Sequence, residues 1–173
     1  AVLLRRLDPR ESPRPGEVEL VHTALCCEAD HLIRSSPDMP ALQHVAQQLR
    51  AANHGRPIDA LHPHAPGTPD HDPRELQVLL DTLADHAPGA APPAVYACKG
   101  ALGHALGAAG LTALVLAAMC CRTKKRPPMP WLQHPIADHL TPAAQPLPPS
   151  ATHAVFAAGF GGHTAAALLR ANA

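Results

Sequence analysis

Aromatic residues are scarce in this 173-residue chain, in which two Phe, one Tyr and one Trp make up 2% of the sequence. The hydrophobic fraction is nevertheless 46%, and most of it is alanine, with 34 residues, and leucine, with 23. Small aliphatic side chains allow backbones to approach closely in a dense core. We therefore expect closely packed helices and strands rather than a core built around aromatic rings.

An excess of charge of either sign is also lacking, since Lys and Arg total 14 and Asp and Glu total 14. The sequence has neither the excess of basic residues typical of a nucleic-acid-binding protein nor an acidic tail. The longest stretch without charge or histidine covers residues 105–121, which is shorter than the ~20 strongly apolar residues of a spanning helix. Because it also contains Gly107 and Gly110, we expect a buried helix and no membrane span.

The five cysteines occupy positions 26, 27, 98, 120 and 121, without a C-x-x-C motif or zinc-finger spacing. This pattern predicts reduced thiols, a cytoplasmic protein and no metal site. Residues 1–4 run directly into Arg5 and Arg6 without the apolar core of a signal peptide. We expect residues 1–4 to be the end of a strand and the chain to be cut from something longer.

Proline and histidine are the residues in excess, with 21 and 13 copies. Proline spread through the chain predicts many loops and excludes a simple helical bundle. Apolar patterning predicts strands at residues 17–26, 58–61, 94–98, 151–157 and 164–169. It predicts helices at residues 40–52, from Asp72 onward, and at 107–121, joined by a proline-rich connection at 127–150. This alternation indicates an α/β fold.

Two charged clusters flank the predicted helices. Asp72 and Glu75, on either side of Pro73, have the spacing of a helix cap. The basic residues between Arg122 and Arg126 suit the carboxyl end of a helix. The alternative for that patch is a docking site for an acidic carrier protein.

Three loops at strand ends concentrate the residues capable of chemistry: residues 62–69, residues 99–110 and residues 159–162. The second is not a phosphate-binding loop, because Lys99 precedes its glycines instead of following them. His62, His64 and His71 could form a metal site, although no carboxylate or thiolate spacing supports one.

These three loops resemble the signatures of the β-ketoacyl-acyl carrier protein synthases, condensing enzymes of the thiolase-like fold. The motif H-G-T-G-T-P with its following acidic pair is similar to residues 64–69 with Asp72 and Glu75. The motif K-S-N-I-G-H-T-L-G-A-A-G agrees with residues 99–110 at nine of twelve places when Leu102 is accepted for Ile. The motif G-F-G-G is intact at residues 159–162. The chain therefore resembles the C-terminal half of a ketosynthase, the C-terminal lobe of a layered αβαβα fold.

The resemblance implies a decarboxylative Claisen condensation between an acyl thioester and malonyl carrier protein, with both substrates on phosphopantetheine and no other cofactor. His64 and His104 would stabilise the enolate formed from the malonyl group, and Lys99 would order them. Phe160, flanked by Gly159 and Gly161, would gate the acyl pocket and contribute an oxyanion-hole N–H. Asp72, Glu75 and Thr68 would support the first loop.

The chain also departs from the family pattern. The family's nucleophilic cysteine belongs to the other half of the fold, so none of the five cysteines here corresponds to it, and the buried-looking pairs at 26–27 and 120–121 read as core residues. Ala113 takes the place of a glutamate that pairs with the lysine, which leaves Asp72 or Glu75 as acceptors for Lys99. His163, Ala158 and Pro66 also replace the usual residues, and they change the shape of the acyl pocket.

These observations leave competing hypotheses. The chain is either the C-terminal part of a condensing enzyme that needs a cysteine-bearing half, or a non-catalytic partner like a chain-length factor. A degenerate, unfolded remnant is disfavoured by the intact apolar periodicities. The expected partners are acyl carrier protein, the cysteine-bearing half and a second subunit in a homo- or heterodimer. On this reading residues 1–173 form one ketosynthase C-terminal domain, with residues 1–16 left from the preceding lobe and its linker.

Overall fold

A mixed five-stranded sheet organises the chain in its computed structural model, which describes residues 2, 4–6, 8, 10–12, 14, 16–33 and 35–172. The strands are β1 (Val18–Cys27), β2 (Ala60–His62), β3 (Ala94–Val95), β6 (Thr152–Gly159) and β7 (His163–Ala171), while β4 (Lys125–Arg126) and β5 (Gln145–Pro146) form a separate ribbon. The helices are α1 (Pro40–Ala52), α2 (Asp72–Leu83), α3 (Lys99–Leu102) and α4 (Ala109–Thr123), with a 3₁₀ turn at Leu106–Ala108.

The strand order in the sheet is β1-β7-β6-β2-β3. The pairs β1–β7 and β7–β6 are antiparallel, whereas β6–β2 and β2–β3 are parallel. Both parallel connections carry a helix, as crossover connections require. Consequently the carboxyl ends of β2, β3 and β6 lie at one edge of the sheet, and the three loops with unusual chemistry follow these strands.

The sheet separates two apolar layers. On one side, α1 and α2 pack against it around Leu49, Leu79, Phe156 and Leu168, each at most 1% exposed. On the other side, small residues of α4 face Val155 and Leu169. An ideal Cβ on Gly110 would lie 3.1 Å from the Cβ of Ala157, so the absence of a side chain there allows α4 to approach β6 closely.

Most predicted elements agree with the structure to within a few residues. The largest differences are β3, which ends at Val95 instead of residue 98, and the unpredicted helix α3 that follows it. Val2 and Leu4 belong to no strand, and Ala1 and Leu3 lie outside the described residues.

The basic cluster is not uniformly solvated, contrary to expectation. Arg122, Lys124 and Lys125 are exposed, but Arg126 is 1% exposed. The Arg126 guanidinium donates to the Gln145 Oε1 at 2.8 Å and to the carbonyls of Pro127, Thr141 and Ala143. Arg126 therefore links the proline-rich connection to the end of α4 through hydrogen bonds. This connection also contains the short strand β5.

Helix α4 with its preceding turn, Leu106–Thr123, has the length and mean hydropathy, 1.6, of a membrane span, and 28% of it is buried in this chain. Its buried residues Ala113, Ala117 and Cys121 pack on the sheet, as those of a core helix do. Leu111, Val115 and Met119 occupy the opposite face and are exposed. The helix thus has one apolar face against the sheet and a second apolar face that is exposed in the described part of the chain.

Candidate active site

The loop that carries His64 follows β2 and is fixed by carboxylates from the first turn of α2. Glu75, 1% exposed, accepts the backbone N–H groups of His64 at 2.6 Å and Ala65 at 2.7 Å. Asp72 accepts the N–H groups of Gly67 and Thr68, each at 3.1 Å. Ala65 and Gly67 have positive φ angles of 37° and 87°, so the loop is tightly turned and depends on these acceptors.

Asp72 and Glu75 were expected to cap α2, and this expectation is wrong. No side chain caps the helix, and His71 occupies the N-cap position. Both carboxylates instead accept hydrogen bonds from the preceding loop. Burial raises the pKa of Asp72, while the two backbone N–H groups oppose that rise. Thr68 contributes its backbone N–H to this arrangement.

Lys99 begins α3 and reaches the same loop from the neighbouring strand end. Its Nζ donates to the backbone carbonyl of His64, not to Asp72 or Glu75 as the sequence suggested. The side chain is half-buried, and burial lowers the pKa of Lys99, against the attraction of Glu75 and Asp72. Ala113, at the place of the family's glutamate, is 2% exposed and packs in the core.

His104 lies beside His64 after the turn at Gly103, whose φ is 72°. The two imidazole centroids are 5.3 Å apart, and the ring planes meet at 74°. The Nδ1 of His104 accepts the N–H of Leu106 at 3.0 Å, which places the proton of its neutral ring on Nε2. The structure therefore brings together the two histidines that the sequence singled out.

His64 is held neutral at physiological pH. It is 8% exposed, and burial, followed by the charge of Lys99, lowers its pKa to about 4. A neutral imidazole can donate one N–H to an oxygen that gains negative charge. The pair can therefore supply two hydrogen-bond donors to one oxyanion.

The turn between β6 and β7 carries Gly159, Phe160 and Gly161. Gly161 and Gly162 have φ angles of 79° and 76°, and Gly161 donates to the Leu32 carbonyl at 2.8 Å. Phe160 is 78% exposed. In the described part of the chain, no ring contact joins Phe160 to His64 or His104.

Burial distinguishes the five cysteines. Cys98, Cys120 and Cys121 are buried, and burial raises the pKa of Cys98, that of Cys120 to about 11 and that of Cys121 to about 12. These three are poor nucleophiles, because the thiolate is the reactive form. Cys27 was expected in the core but is exposed, and its Sγ donates to the Gly161 carbonyl at 3.2 Å.

Three features of this region were missed from the sequence. His71 packs its ring edge-on against His64, with centroids 5.6 Å apart. The second feature is the pairing of His62 with His153. Among the described residues, no group of three His, Cys, Asp or Glu side chains is suited to hold a metal ion. The third feature is Trp131, whose indole fills the space above Gly100.

Comparison with known proteins agrees with this geometry. The family model for the β-ketoacyl synthase C-terminal domain matches residues 18–133. This chain belongs to the β-ketoacyl synthase family. Its relatives include 3-oxoacyl-acyl-carrier-protein synthase 2 of Mycobacterium tuberculosis, 29% identical over 96% of this chain and 40% of that protein. A second is the spectinabilin polyketide synthase system protein NorB of Streptomyces orinoci, 32% identical over 70% of this chain and 6% of that protein.

Solved ketosynthase structures share the fold. A type II polyketide synthase acyl-carrier protein in complex with its ketosynthase matches with a TM-score of 0.77 at 20% identity, over 90% of this chain and 39% of that one. The ishigamide ketosynthase/chain length factor matches with a TM-score of 0.73 at 23% identity, over 89% and 38%. The mixed α/β fold is thus that of ketosynthase C-terminal domains. The chain spans about two fifths of the length of the mycobacterial relative.

Proposed function

We propose that this ketosynthase domain supplies the decarboxylation half of a 3-oxoacyl-acyl carrier protein synthase, working with a cysteine-bearing lobe. The adjacent rings of His64 and His104, which follow the carboxyl ends of parallel strands, carry the proposal, with the pKa of His64 lowered to about 4 by burial. Its substrates are an acyl thioester and malonyl carrier protein in fatty acid or polyketide synthesis. We place the protein in the cytoplasm, in a homo- or heterodimer, and assign residues 1–16 to the preceding lobe and its linker.

The reaction divides between the two lobes. The acyl group is held as a thioester on the partner's cysteine, and the bond between the malonyl carboxylate and its α-carbon breaks to release CO₂. The electron pair moves into the thioester as an enolate, whose oxygen accepts hydrogen bonds from the two imidazoles. The α-carbon then attacks the acyl carbonyl, and the cysteine thiolate leaves. Each donor lowers the barrier by up to about 3 kcal/mol.

Lys99 positions this pair by contacting the backbone of His64 and not by pairing with a carboxylate. Its ammonium group holds the His64 carbonyl, and its charge helps to keep the His64 ring neutral. Phe160, exposed between its glycines, would gate the acyl pocket once the other lobe encloses it.

The cysteine-bearing lobe has a surface on which to dock. A groove of about 540 Å³ lies between α4 and the sheet. It is lined by apolar or small side chains that include Leu25, Leu111, Ala165 and Ala167. Leu25 and Leu111 are 72% and 54% exposed, and exposed apolar surface of this kind marks an interaction site.

The second candidate function is that of a non-catalytic partner like a chain-length factor. One observation favours it: Ala113 replaces the family's glutamate, and Lys99 has a carbonyl acceptor instead. On this alternative the chain would shape the acyl pocket of a partner without stabilising the enolate.

The test supplies a cysteine-bearing lobe in two forms. In one arm, this chain is co-expressed with the part of the M. tuberculosis synthase that precedes its matching region. In the other, this chain replaces that region within a single polypeptide. CO₂ release from malonyl carrier protein is then measured for the wild type and for His104→Ala. We expect activity in at least one arm and a loss of at least about 100-fold in the variant.

The matched control is His86→Ala. His86 follows the carboxyl end of α2, one helix length from the site, and its ring contacts the Asp81 carbonyl. It should release CO₂ at the wild-type rate. A folded assembly whose cysteine reacts with iodoacetamide but which releases no CO₂ in either arm would overturn the catalytic proposal in favour of the chain-length-factor alternative.

A further inference from the structure

A third histidine, His71, lies against the pair described above. Its ring is edge-on to His64 at 77°, with centroids 5.6 Å apart. Its Nε2 is 3.4 Å from the Oε2 of Glu75, and the two side chains are 18% and 2% exposed. His71 therefore contacts both the imidazole that would act on substrate and the carboxylate that fixes its backbone.

We propose that His71 is a positioning residue for His64: its ring holds the His64 imidazole in place, and its Nε2 lies 3.4 Å from the Glu75 carboxylate that fixes the His64–Ala65 backbone, in contact with it but without a hydrogen bond among the described residues. The role as a catalytic aid rests on the proposed function. The positioning itself does not, because it concerns contacts within this chain.

Glu75 explains why such support is needed. Its two oxygens each accept one backbone N–H, from His64 and from Ala65. Ala65 has a positive φ of 37°, a conformation that is costly for a residue with a Cβ. The carboxylate must stay in one rotamer to keep both bonds, and the imidazole of His71 packs against it on one side, with the Nε2 3.4 Å from the Glu75 Oε2.

The space around the His64 ring shows why a neighbouring ring matters. The Nδ1 of His64 is buried and has no hydrogen-bond partner among the described residues. His64 borders a small space of about 10 Å³, which is also lined by His71, Glu75, Glu28 and Thr164. This space is far too small for a substrate. Without a hydrogen bond to Nδ1, the orientation of the His64 ring depends on packing, and His71 supplies an edge-on contact for it.

The charged and titratable groups facing His64 come from several elements. They are Glu75 and His71 from the start of α2, Lys99 from α3, His104 from the following loop and Glu28 from the segment after β1. Burial is the main cause that lowers the pKa of His64; Lys99, His71 and His104 act in the same direction, whereas Glu75 raises this pKa. Loss of His71 therefore removes both a packing contact and one of the groups that disfavour a charged His64.

Two substitutions separate the contacts. His71→Phe keeps a ring against His64 but removes the nitrogen beside Glu75. His71→Gln keeps an N–H donor for Glu75 but removes the ring. His71→Ala removes both, and His86→Ala at the far end of α2 is the matched control.

The first experiment uses the 173-residue chain alone, labelled with ¹⁵N and observed by NMR. In His71→Ala, we expect the pKa of His64 to rise from about 4 toward the ordinary ~6.5, with its ring nitrogens reporting a mixture of tautomers. The His64 and Ala65 amides should exchange with solvent faster in His71→Phe than in His71→Gln, because only Gln leaves a polar group in contact with the Glu75 carboxylate. His86→Ala should match the wild type in every respect.

A merely structural role for His71 would lower the melting temperature without moving these signals. If His64 titrates as in the wild type and both amides keep their exchange rates in His71→Ala, the proposal is wrong. If His71→Ala does not fold, the Phe and Gln variants test the proposal through the titration of His64 and the amide exchange of His64 and Ala65.

The second experiment measures decarboxylation in the assembly with the cysteine-bearing lobe. We expect His71→Ala to lower kcat about tenfold with KM unchanged, because a displaced donor weakens transition-state binding and leaves substrate binding intact. A change in KM alone would overturn the catalytic part. Since the NMR signals need neither partner nor substrate, failure of the proposed function leaves the positioning result interpretable.

Discussion

His62 and His153 form a buried polar pair in the middle of the sheet. They are 2% and 0% exposed, and the Nε2 of His62 lies 3.1 Å from the Nδ1 of His153. One nitrogen donates and the other accepts, so the bond is lost when both rings are protonated and no acceptor remains. Burial is the main cause that lowers the pKa of His62 to about 3 and that of His153 to about 4.

This pair should make the fold sensitive to mild acid. Between about pH 6.5 and pH 4 the unfolded chain binds protons on these histidines that the folded chain does not, so stability is complete above this window and falls as pH falls through it. The slope is up to about 1.4 kcal/mol per pH unit for each ring. Urea unfolding at intervals from pH 7.5 to pH 4.5 measures it.

The variant for this prediction is His62→Leu combined with His153→Leu, which replaces the pair by apolar side chains of similar size. It should reduce the slope of the unfolding free energy against pH by the contribution of these two rings and leave that of His64, whose pKa is also lowered to about 4, whereas His86→Ala should leave the slope unchanged. An unaltered slope in the double variant would show that other groups cause the acid sensitivity.

The sequence motifs predicted His64 and His104 as site residues, but they did not predict the residues that pack around them. Asp72 and Glu75 fit a capping pattern because any acid near a helix start satisfies it. Whether such an acid caps its own helix or a nearby loop depends on where that loop folds back. His153 is distant from His62 in sequence, and only the parallel pairing of β2 with β6 makes them neighbours. No local pattern carries that information.

Helix α3 is four residues long and packs beneath the indole of Trp131. An ideal Cβ on Gly100 would lie 2.1 Å from the Trp131 Cδ1, where the family motif has serine. Trp131 in turn lies edge-on to Tyr96, with centroids 6.3 Å apart. The indole of Trp131 thus occupies the space that a side chain at position 100 would fill. This contact holds α3, the helix that begins with Lys99.

Gly100→Ser, which restores the residue of the family motif, should therefore destabilise this protein. We expect a loss of about 1–3 kcal/mol in the free energy of unfolding, because the indole must be displaced. In the Trp131→Ala background the same change should cost much less, giving a strongly non-additive double-mutant cycle. Ala101→Ser, exposed on the same helix, is the control and should change stability by less than about 0.5 kcal/mol. Additive effects would refute the coupling.

Long elements were predictable because their periodicity is local. The predicted helix at 107–121 and the observed Ala109–Thr123 differ by two residues at each end. Helix α3 and the β4–β5 ribbon were not predictable, since elements of four and two residues contain no full apolar period. Arg126 was assigned to solvent for a related reason: a basic run after a helix has the same composition whether its last residue is exposed or surrounded by carbonyls.

The two faces of α4 differ in what they contact in the described part of the chain. One face packs on the sheet through Ala113, Ala117 and Cys121, and the other presents Leu111, Val115 and Met119 to solvent. Water-exposed leucine and methionine on a helix whose opposite face is already buried contribute nothing to the stability of this chain. They are explained if a second apolar layer covers them, which is the position we propose for the cysteine-bearing lobe.

Leu111→Asp tests that position with little effect on the chain itself. Leu111 is 54% exposed and lies in the first turn of α4, where a carboxylate suits the helix dipole, so the urea midpoint should stay within experimental error. Binding to the co-expressed mycobacterial lobe should weaken about 100-fold, since a charge would enter an apolar interface. Urea unfolding measures the stability of the variant, and calorimetric titration of the separated lobes measures its binding affinity. Gln47→Asp adds the same charge at an exposed position of α1, on the other side of the sheet. This variant should bind the lobe with wild-type affinity. Equal affinity for the two variants would place the partner elsewhere.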